Sequence, residues 1–310
     1  MAAASAAVAA AASTTAGETH KFGRILVGSS NVVRTSSCGL AVAYNGLNPV
    51  LPGHCIVAPT RAEGVQLLSD LTLAELDALF TTVADLQAEQ TSTEAERTAT
   101  AHNLAVHDGP AAGQPEGLPH VHVHVIPRVA GDLTKNDEIY DMIATWSPPE
   151  GPPTKAPPFY VPGDDERRAR TEEQMADESS KYAELAATKP GACAADDAVG
   201  GKPLPTGPFR FGKFPLHETQ VFYSSTFSVA TVNLKPLCPG HVLCVPKRSV
   251  PLMADLMDAE RRDLWMLVRE VQAIVMKYHG ASACKLGVQD GSAAGQSVPH
   301  VHVHVLPQKY

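Results

Sequence analysis

The sequence predicts an α+β fold made twice in one chain, each unit a mainly antiparallel sheet with helices on one face. Three observations predict it. The segment Pro119–Val125, reading Pro-His-Val-His-Val-His-Val, recurs letter for letter at Pro299–Val305. Upstream of each copy lies Pro-x-x-Pro-Gly-His, then an apolar run and another proline, at Pro49–Pro59 and Pro236–Pro246. Between these landmarks each unit carries an amphipathic helical pattern. The Pro-Gly-His histidines (54 and 241) are 187 positions apart and the middle triad histidines (122 and 302) 180, so the units are nearly equal in length. A chain of 310 residues has the length of two domains.

Taken in order, residues 1–19 are rich in Ala, Ser and Thr, hold no Lys or Arg, and read as a disordered tail with neither a secretory nor a transit signal. The first unit spans 20–187. Its Pro52-Gly53 marks a turn, and the apolar run from Cys55 reads as a buried strand. Thr72 and Glu75 stand at capping-box spacing, and Leu76, Leu79, Phe80, Val83 and Leu86 share one helical face. Asp108-Gly109 and Ala112-Gly113-Gln114 lead into a final strand. There, alternation at a period of two sets His120, His122 and His124 on one face and valines on the other. Residues 146–164 hold seven prolines and read as an extended or disordered insert. A charged, helix-favouring stretch follows, with a solvated start at Asp164–Glu173, and 188–206 reads as an interdomain linker. The second unit, 207–310, repeats the plan. Asp258 is the expected N-cap; Leu264, Leu267, Val268, Val271 and Val275 form the helix face; Asp290-Gly291 and Ala294-Gly295-Gln296 precede His300, His302 and His304.

Bulk properties narrow the function. A hydrophobic content of 44% is ample for packed cores, and a net charge of −8 argues against nucleic-acid or anionic-membrane partners. No apolar run approaches the ~20 residues of a membrane span. Six cysteines without a Cys-x-x-Cys read as reduced thiols, which places the protein in the cytoplasm, the nucleus also being open to it. His102, His217 and His279 stand alone and read as structural or surface residues. Six of the 13 histidines lie in the two triads, so any chemistry is expected there. By spacing alone, three alternating imidazoles with a fourth nearby also suit a transition metal.

Pro-Gly-His, Asp-Gly, Gly-Gln and His-Val-His-Val-His in this order resemble the histidine triad superfamily, and within it the fragile-histidine-triad branch of dinucleoside polyphosphate hydrolases. The second unit matches from Phe211-Gly212 through Asn233-Leu234-Lys235-Pro236, Gln289-Asp290-Gly291 and Gly295-Gln296-Ser297 to its triad. The first matches Phe22-Gly23 and its triad. It also carries that branch's downstream segment, Pro127–Asp132 and Asn136–Tyr140, and a similar tail at Arg170–Ala176. The resemblance implies that the middle histidines, His302 and His122, are nucleophiles forming a nucleotidyl-histidine. Neutral imidazole suits that task near pH 7, because it attacks phosphorus well and leaves readily. It further implies that His300, His304 and His241 hold and neutralise phosphate oxygens, that Gln289 and Ser297 contact the phosphate chain, that Asn233 contacts the ribose, and that Phe211 lies near the base. In the first unit His54, His120 and His124 correspond, with Asn45 the nearest counterpart of Asn233 and His107 in place of Gln289.

The implied activity is hydrolysis of dinucleoside polyphosphates, diadenosine triphosphate first among them. Mg2+ or Mn2+ would be carried by the substrate, with no dedicated metal site and no tightly bound cofactor. A nucleoside phosphoramidate hydrolase, a nucleotidyltransferase of the same superfamily, or a slow-turnover nucleotide sensor are the alternatives. Members of this family typically pair as two chains, so the two halves are expected to pair with each other through a continuous sheet. The second unit shows no downstream segment of its own after its triad, which leaves its leaving-group preference open. Tyr140 is expected to be an exposed loop tyrosine.

Overall fold

The computed structural model describes residues 19–92, 99–115, 117–149, 162–163, 165–188 and 208–309, and in it the two repeats supply matching elements in the same order. The first unit contributes β1 (Thr19–Phe22), β2 (Ile25–Gly28), β3 (Val32–Thr35), β4 (Ala41–Asn45), β5 (Cys55–Pro59), α1 (Leu73–Ser92), β6 (Ala101–Asp108), β7 (Val123–Arg128), α2 (Glu138–Ala144) and α3 (Glu172–Ala187). The second contributes β8 (Phe209–Phe211), β9 (Phe214–Leu216), β10 (Val221–Ser224), β11 (Ser228–Val232), β12 (Val242–Pro246), α4 (Asp258–His279), β13 (Ala283–Asp290) and β14 (Val303–Gln308). The expected tail lies outside the described residues up to position 18. So do all of the linker but Thr188 and most of the Pro-rich insert.

Ten strands form one sheet in the order β10-β11-β12-β14-β13-β6-β7-β5-β4-β3, every neighbouring pair antiparallel. The units join at its centre. There β13 pairs with β6 over seven positions, from Cys284 opposite Asp108 to Asp290 opposite His102. The valines of the triads explain which face is covered: Val121, Val123, Val125, Val301, Val303 and Val305 are all buried in the core beneath α1 and α4. The two helices meet over that core, with the rings of Phe80 and Trp265 stacked at 3.6 Å between centroids and 7° apart. Trp265→Ala removes that contact from a site 3% exposed and is expected to cost about 3–5 kcal/mol; chemical denaturation would show it as a lower midpoint.

Buried carboxylates tie the units further. Asp108 accepts from the Leu68 N–H at 2.8 Å and from Gln272 of the other unit. Asp290 accepts from the Met253 N–H and from Gln87 of the other unit, both at 2.8 Å. The Asp-Gly motif is thus a cross-brace as much as a turn. Gly53 and Gly240, at φ +81° and +82°, explain the glycine of Pro-Gly-His. A Cβ there would come within 2.8 Å of Pro127 or 2.7 Å of Pro307.

The capping box of α1 forms as expected, Glu75 N–H bonding Thr72 Oγ1 and Glu75 Oε2 accepting from the Thr72 N–H. Other expectations change. Met257, not Asp258, is the N-cap of α4, and Glu260 accepts its N–H at 2.9 Å, because the carboxylate three residues on reaches back. The strand ladder of each triad begins only at Val123 and Val303; the residues before them are extended, with Val121 N–H bonded to Val65 O and Val301 N–H to Val250 O. The stretch before α3 is not a solvated helix start: the helix begins at Glu172, while Arg170 donates through its backbone N–H to Leu234 O and through its guanidinium to Asn233 O. Although α3 follows the first unit in sequence, it rests on β10, β11 and α4 of the second. Tyr182, fully buried, bonds His279 at 2.6 Å.

Candidate active site

Both triads line the face of the sheet opposite α1 and α4, the face on which α2 packs its Ile139 and Ile143 against Ile126, and backbone groups fix the protons on their rings. In the second unit the His300 carbonyl lies 2.8 Å from His302 Nδ1. A carbonyl can only accept, so Nδ1 carries the proton and Nε2 keeps its lone pair. The Leu237 N–H donates to His241 Nδ1 at 3.0 Å, which puts the proton of His241 on Nε2. That proton goes to His304 Nδ1 at 2.9 Å, leaving His304 Nε2–H as a donor. A nucleophilic lone pair on His302 therefore stands beside an N–H on His304, with ring centroids 4.9 Å apart. Phe211 sets its edge against His302 at 4.9 Å. Asn233 lies over His241 with Nδ2 at 3.2 Å from its Nε2, and Asn233 Oδ1 accepts from the Lys235 N–H. Ser297 is exposed and Gln289 half-buried at the rim.

Two expected roles change here. His300 spends both ring nitrogens on the backbone, Nε2–H to Pro246 O and Nδ1 accepting from the Gly212 N–H, each at 2.9 Å. It braces the carbonyl that orients His302 and has no nitrogen left for phosphate. Nor does burial favour charge on the imidazoles. Burial pulls His302 down to about 4 and His241 to about 3, Arg167 and Arg170 adding to the latter, and drives His304 well below its ordinary value. They act as neutral donors and acceptors, and the positive charge close enough to be felt comes from Arg167 and Arg170, which sequence reasoning left on a solvated segment.

The first site has the same wiring around its middle histidine, although His120, bonded through Nε2–H to Arg61 O at 3.0 Å, leaves its Nδ1 buried without a partner. His122 Nδ1–H donates to His120 O at 2.8 Å; the Val50 N–H donates to His54 Nδ1, and His54 Nε2–H to His124 Nδ1 at 3.1 Å. It differs in being covered. Trp146 packs its indole at 4.8 Å from His124, 5.4 Å from His122 and 6.3 Å from His54. The indole is itself 4% exposed, and its N–H is shared between Leu47 O at 2.9 Å and Asn48 O at 3.0 Å. His122 Nε2 and His124 Nε2 are buried without hydrogen-bond partners, whereas no triad nitrogen of the second site is both buried and unpartnered. His304 is half-buried; its counterpart His124 is fully buried. Phe22 sets its edge against His122 at 5.3 Å, as Phe211 does against His302.

Of the remaining first-unit candidates, His107 is buried beside His124 and donates from Nδ1 to Gly113 O at 3.2 Å. Asn45 falls outside the site. It pairs with Cys55 as Val232 pairs with Val242, so Gly46 takes the place of Asn233, and the Asn45 side chain is exposed. His102 is a buried structural residue bonded to Gln90. Tyr140 is not an exposed loop residue: it lies half-buried in α2, and its hydroxyl accepts from Gln289 Nε2 of the second unit at 2.8 Å. Among the described residues no group of histidine, cysteine and carboxylate side chains is disposed to hold a metal ion, and no helix is long and apolar enough to cross a membrane.

The buried imidazoles make folding acid-sensitive. His54, His107 and His241 are depressed to about 3, and His102, His122 and His302 to about 4, each chiefly by burial. Below the ordinary histidine value of about 6.5 the unfolded chain binds more protons than the native one, so stability falls with pH from there down through about 4. Asp108 and Asp290, raised to about 6 by burial, work in the opposite sense but are fewer. Denaturation midpoints are expected to drop steeply between pH 6.5 and 4; a midpoint level across that window would contradict the neutral-imidazole assignment.

Comparison with known proteins sets both repeats in one family. The family model for the HIT domain matches residues 30–131 and again 216–310. The bis(5'-nucleosyl)-tetraphosphatase [asymmetrical] of Schizosaccharomyces pombe is 54% identical over 99 residues, 32% of this chain and 54% of its own length. The bifunctional bis(5'-adenosyl)-triphosphatase/adenylylsulfatase FHIT of Arabidopsis thaliana is 46% identical over 101 residues, 33% of this chain and 56% of its own. The chain thus spans about half the length of the curated relatives it matches. Among solved structures, an ADP-glucose phosphorylase from Arabidopsis thaliana with bound ADP-glucose superposes with a TM-score of 0.52 over 90% of this chain and 76% of that one. At 12% identity that likeness concerns the fold alone.

Proposed function

The chain belongs to the HIT domain family, and from that premise we propose that its second site hydrolyses dinucleoside polyphosphates, diadenosine triphosphate to AMP and ADP in the first instance. The observation that carries the reading is the pairing of the His302 Nε2 lone pair with the His304 N–H beside it, at a site where no described side chain seals that nitrogen as Trp146 seals His122. The Schizosaccharomyces and Arabidopsis relatives, named as a bis(5'-nucleosyl)-tetraphosphatase and a bis(5'-adenosyl)-triphosphatase, support the substrate class.

In this reading His302 Nε2 attacks the α-phosphorus, the bond from phosphorus to the bridging oxygen breaks, and ADP leaves with that electron pair. Water then attacks the same phosphorus, the P–N bond breaks, AMP departs and the water's proton passes to solvent. The Nδ1–H bond to His300 O holds the ring in the tautomer that attack requires. His304 Nε2–H and the nearby arginines stabilise oxygens that gain charge, which is where phosphoryl-type transfer draws most of its rate. Asn233 and Phe211 are positioned for the ribose and the base, and Ser297 for the phosphate chain from the rim. Mg2+ or Mn2+ enters on the substrate's phosphates and shields their charge. The first site, with His122 under Trp146, does not turn over.

Hydrolysis in 18O-labelled water tests the reading. Equal AMP and ADP, with the label in AMP, is the expected result; label in ADP, or no AMP, overturns it.

A further inference from the structure

The second site is bordered by a segment that does not belong to its own unit. Gln289 donates to Tyr140 Oη at 2.8 Å, and Tyr140 sits in α2 of the first unit. The turn that leads into α2 is held by a buried network. Arg128, 1% exposed, forms a two-point buried pair with Asp132 at 2.8 and 2.9 Å and donates to Asn136 Oδ1 at 2.6 Å. The same guanidinium donates to Asn103, which stands opposite Gln289 across the central strand pair and itself donates to Ala294 O at 3.2 Å. With its carbonyl taken by Arg128, Asn136 turns its amide nitrogen toward the Gly295 loop. A Cβ on Gly295, at φ +91°, would lie 3.0 Å from Gln289 Nε2 and 3.2 Å from Asn136 Nδ2. Two amide donors from different units therefore converge where a side chain is missing. At the first site His107 replaces Gln289 and is held by the Gly113 carbonyl of its own unit.

Amide and hydroxyl donors converging at the rim suit the oxygens of an anionic polyphosphate rather than the phosphorus under attack, which takes a lone pair. Resting on the hydrolase reading above, we propose that Tyr140 is a cross-unit positioning residue: it orients the Gln289 amide toward the polyphosphate of the departing nucleotide, so the first unit sets the leaving-group preference of the second.

The test compares wild type, Tyr140→Phe, Gln289→Ala and the double variant on diadenosine triphosphate and on the p-nitrophenyl ester of AMP, which uses the same nucleophile but expels no nucleotide. Phenylalanine keeps the ring packed and removes only the hydroxyl. The ratio of kcat/KM for the dinucleotide over that for the ester is expected to fall by roughly 3- to 10-fold in Tyr140→Phe, the scale of one hydrogen bond. Tyr140→Phe should change that ratio little further once Gln289 is alanine. Equal losses on both substrates, or fully independent effects of the two substitutions, would overturn the proposal. If wild type cleaves neither substrate, the hydrolase reading itself fails. Binding of a methylene-bridged diadenosine triphosphate then decides the proposal separately: several-fold weaker binding by Tyr140→Phe, with AMP binding as in wild type, upholds it, and equal binding of the dinucleotide overturns it.

Discussion

Replacing His302 with alanine should lower hydrolysis of diadenosine triphosphate by on the order of 10⁴-fold or more, the usual scale for loss of a covalent nucleophile, whereas His122→Ala should leave the rate within about twofold. The asymmetry follows from access to the attacking nitrogen, since the two side chains as wholes are alike in burial, 3% exposed for His302 and 1% for His122. Both middle histidines donate Nδ1–H to the carbonyl two residues back at 2.8 Å, and both are pulled to about 4 by burial. Only His122 has its attacking nitrogen sealed under an indole. Because His302 is neutral above about 4, kcat/KM should hold as pH falls through 6 and decline only below about 5. A decline centred near 6.5 would mean that burial does not govern the nucleophile.

Trp146→Ala should convert the first site from a covered cluster into an accessible one. The indole contributes packing against three imidazoles and two hydrogen bonds to the 47–48 turn. Its removal is expected to cost about 3–5 kcal/mol of stability, as for other buried large-to-small changes. It also frees a neutral acceptor on His122 and a donor on His124, the same pair the second site presents. Calorimetry with AMP should show one equivalent bound per wild-type chain and two per Trp146→Ala chain. Trp146→Phe, which keeps an aromatic cover, should remain at one. A stoichiometry of one in both variants would mean that something other than the indole closes the site.

Much of this was legible in the residues because it is periodic or repeated. The duplicated triads and Pro-Gly-His runs disclosed two units, and alternation of histidine with valine placed imidazoles and core on opposite faces of the sheet. The helix of the first unit announced itself through Thr72 and Glu75. The rest depends on contacts between residues far apart in sequence. Trp146 opens a Pro-rich stretch and gives no local sign that it returns about a hundred positions to Leu47 and Asn48. Arg170 and Tyr140 looked solvated because their partners, Asn233 and Gln289, belong to the other unit. Asn45 was off by a single position, and in a strand that moves a side chain to the opposite face. His300 shares the triad's pattern, but only the positions of Pro246 O and Gly212 N show that its ring is a brace.

The most direct test of the account is to trap the intermediate. Wild-type protein mixed with diadenosine triphosphate and Mg2+, quenched in alkali within one turnover and digested, should yield an adenylylated peptide containing His302 and an unmodified peptide containing His122. Adenylylation at His122, or steady turnover with no nucleotide on either histidine, would contradict it.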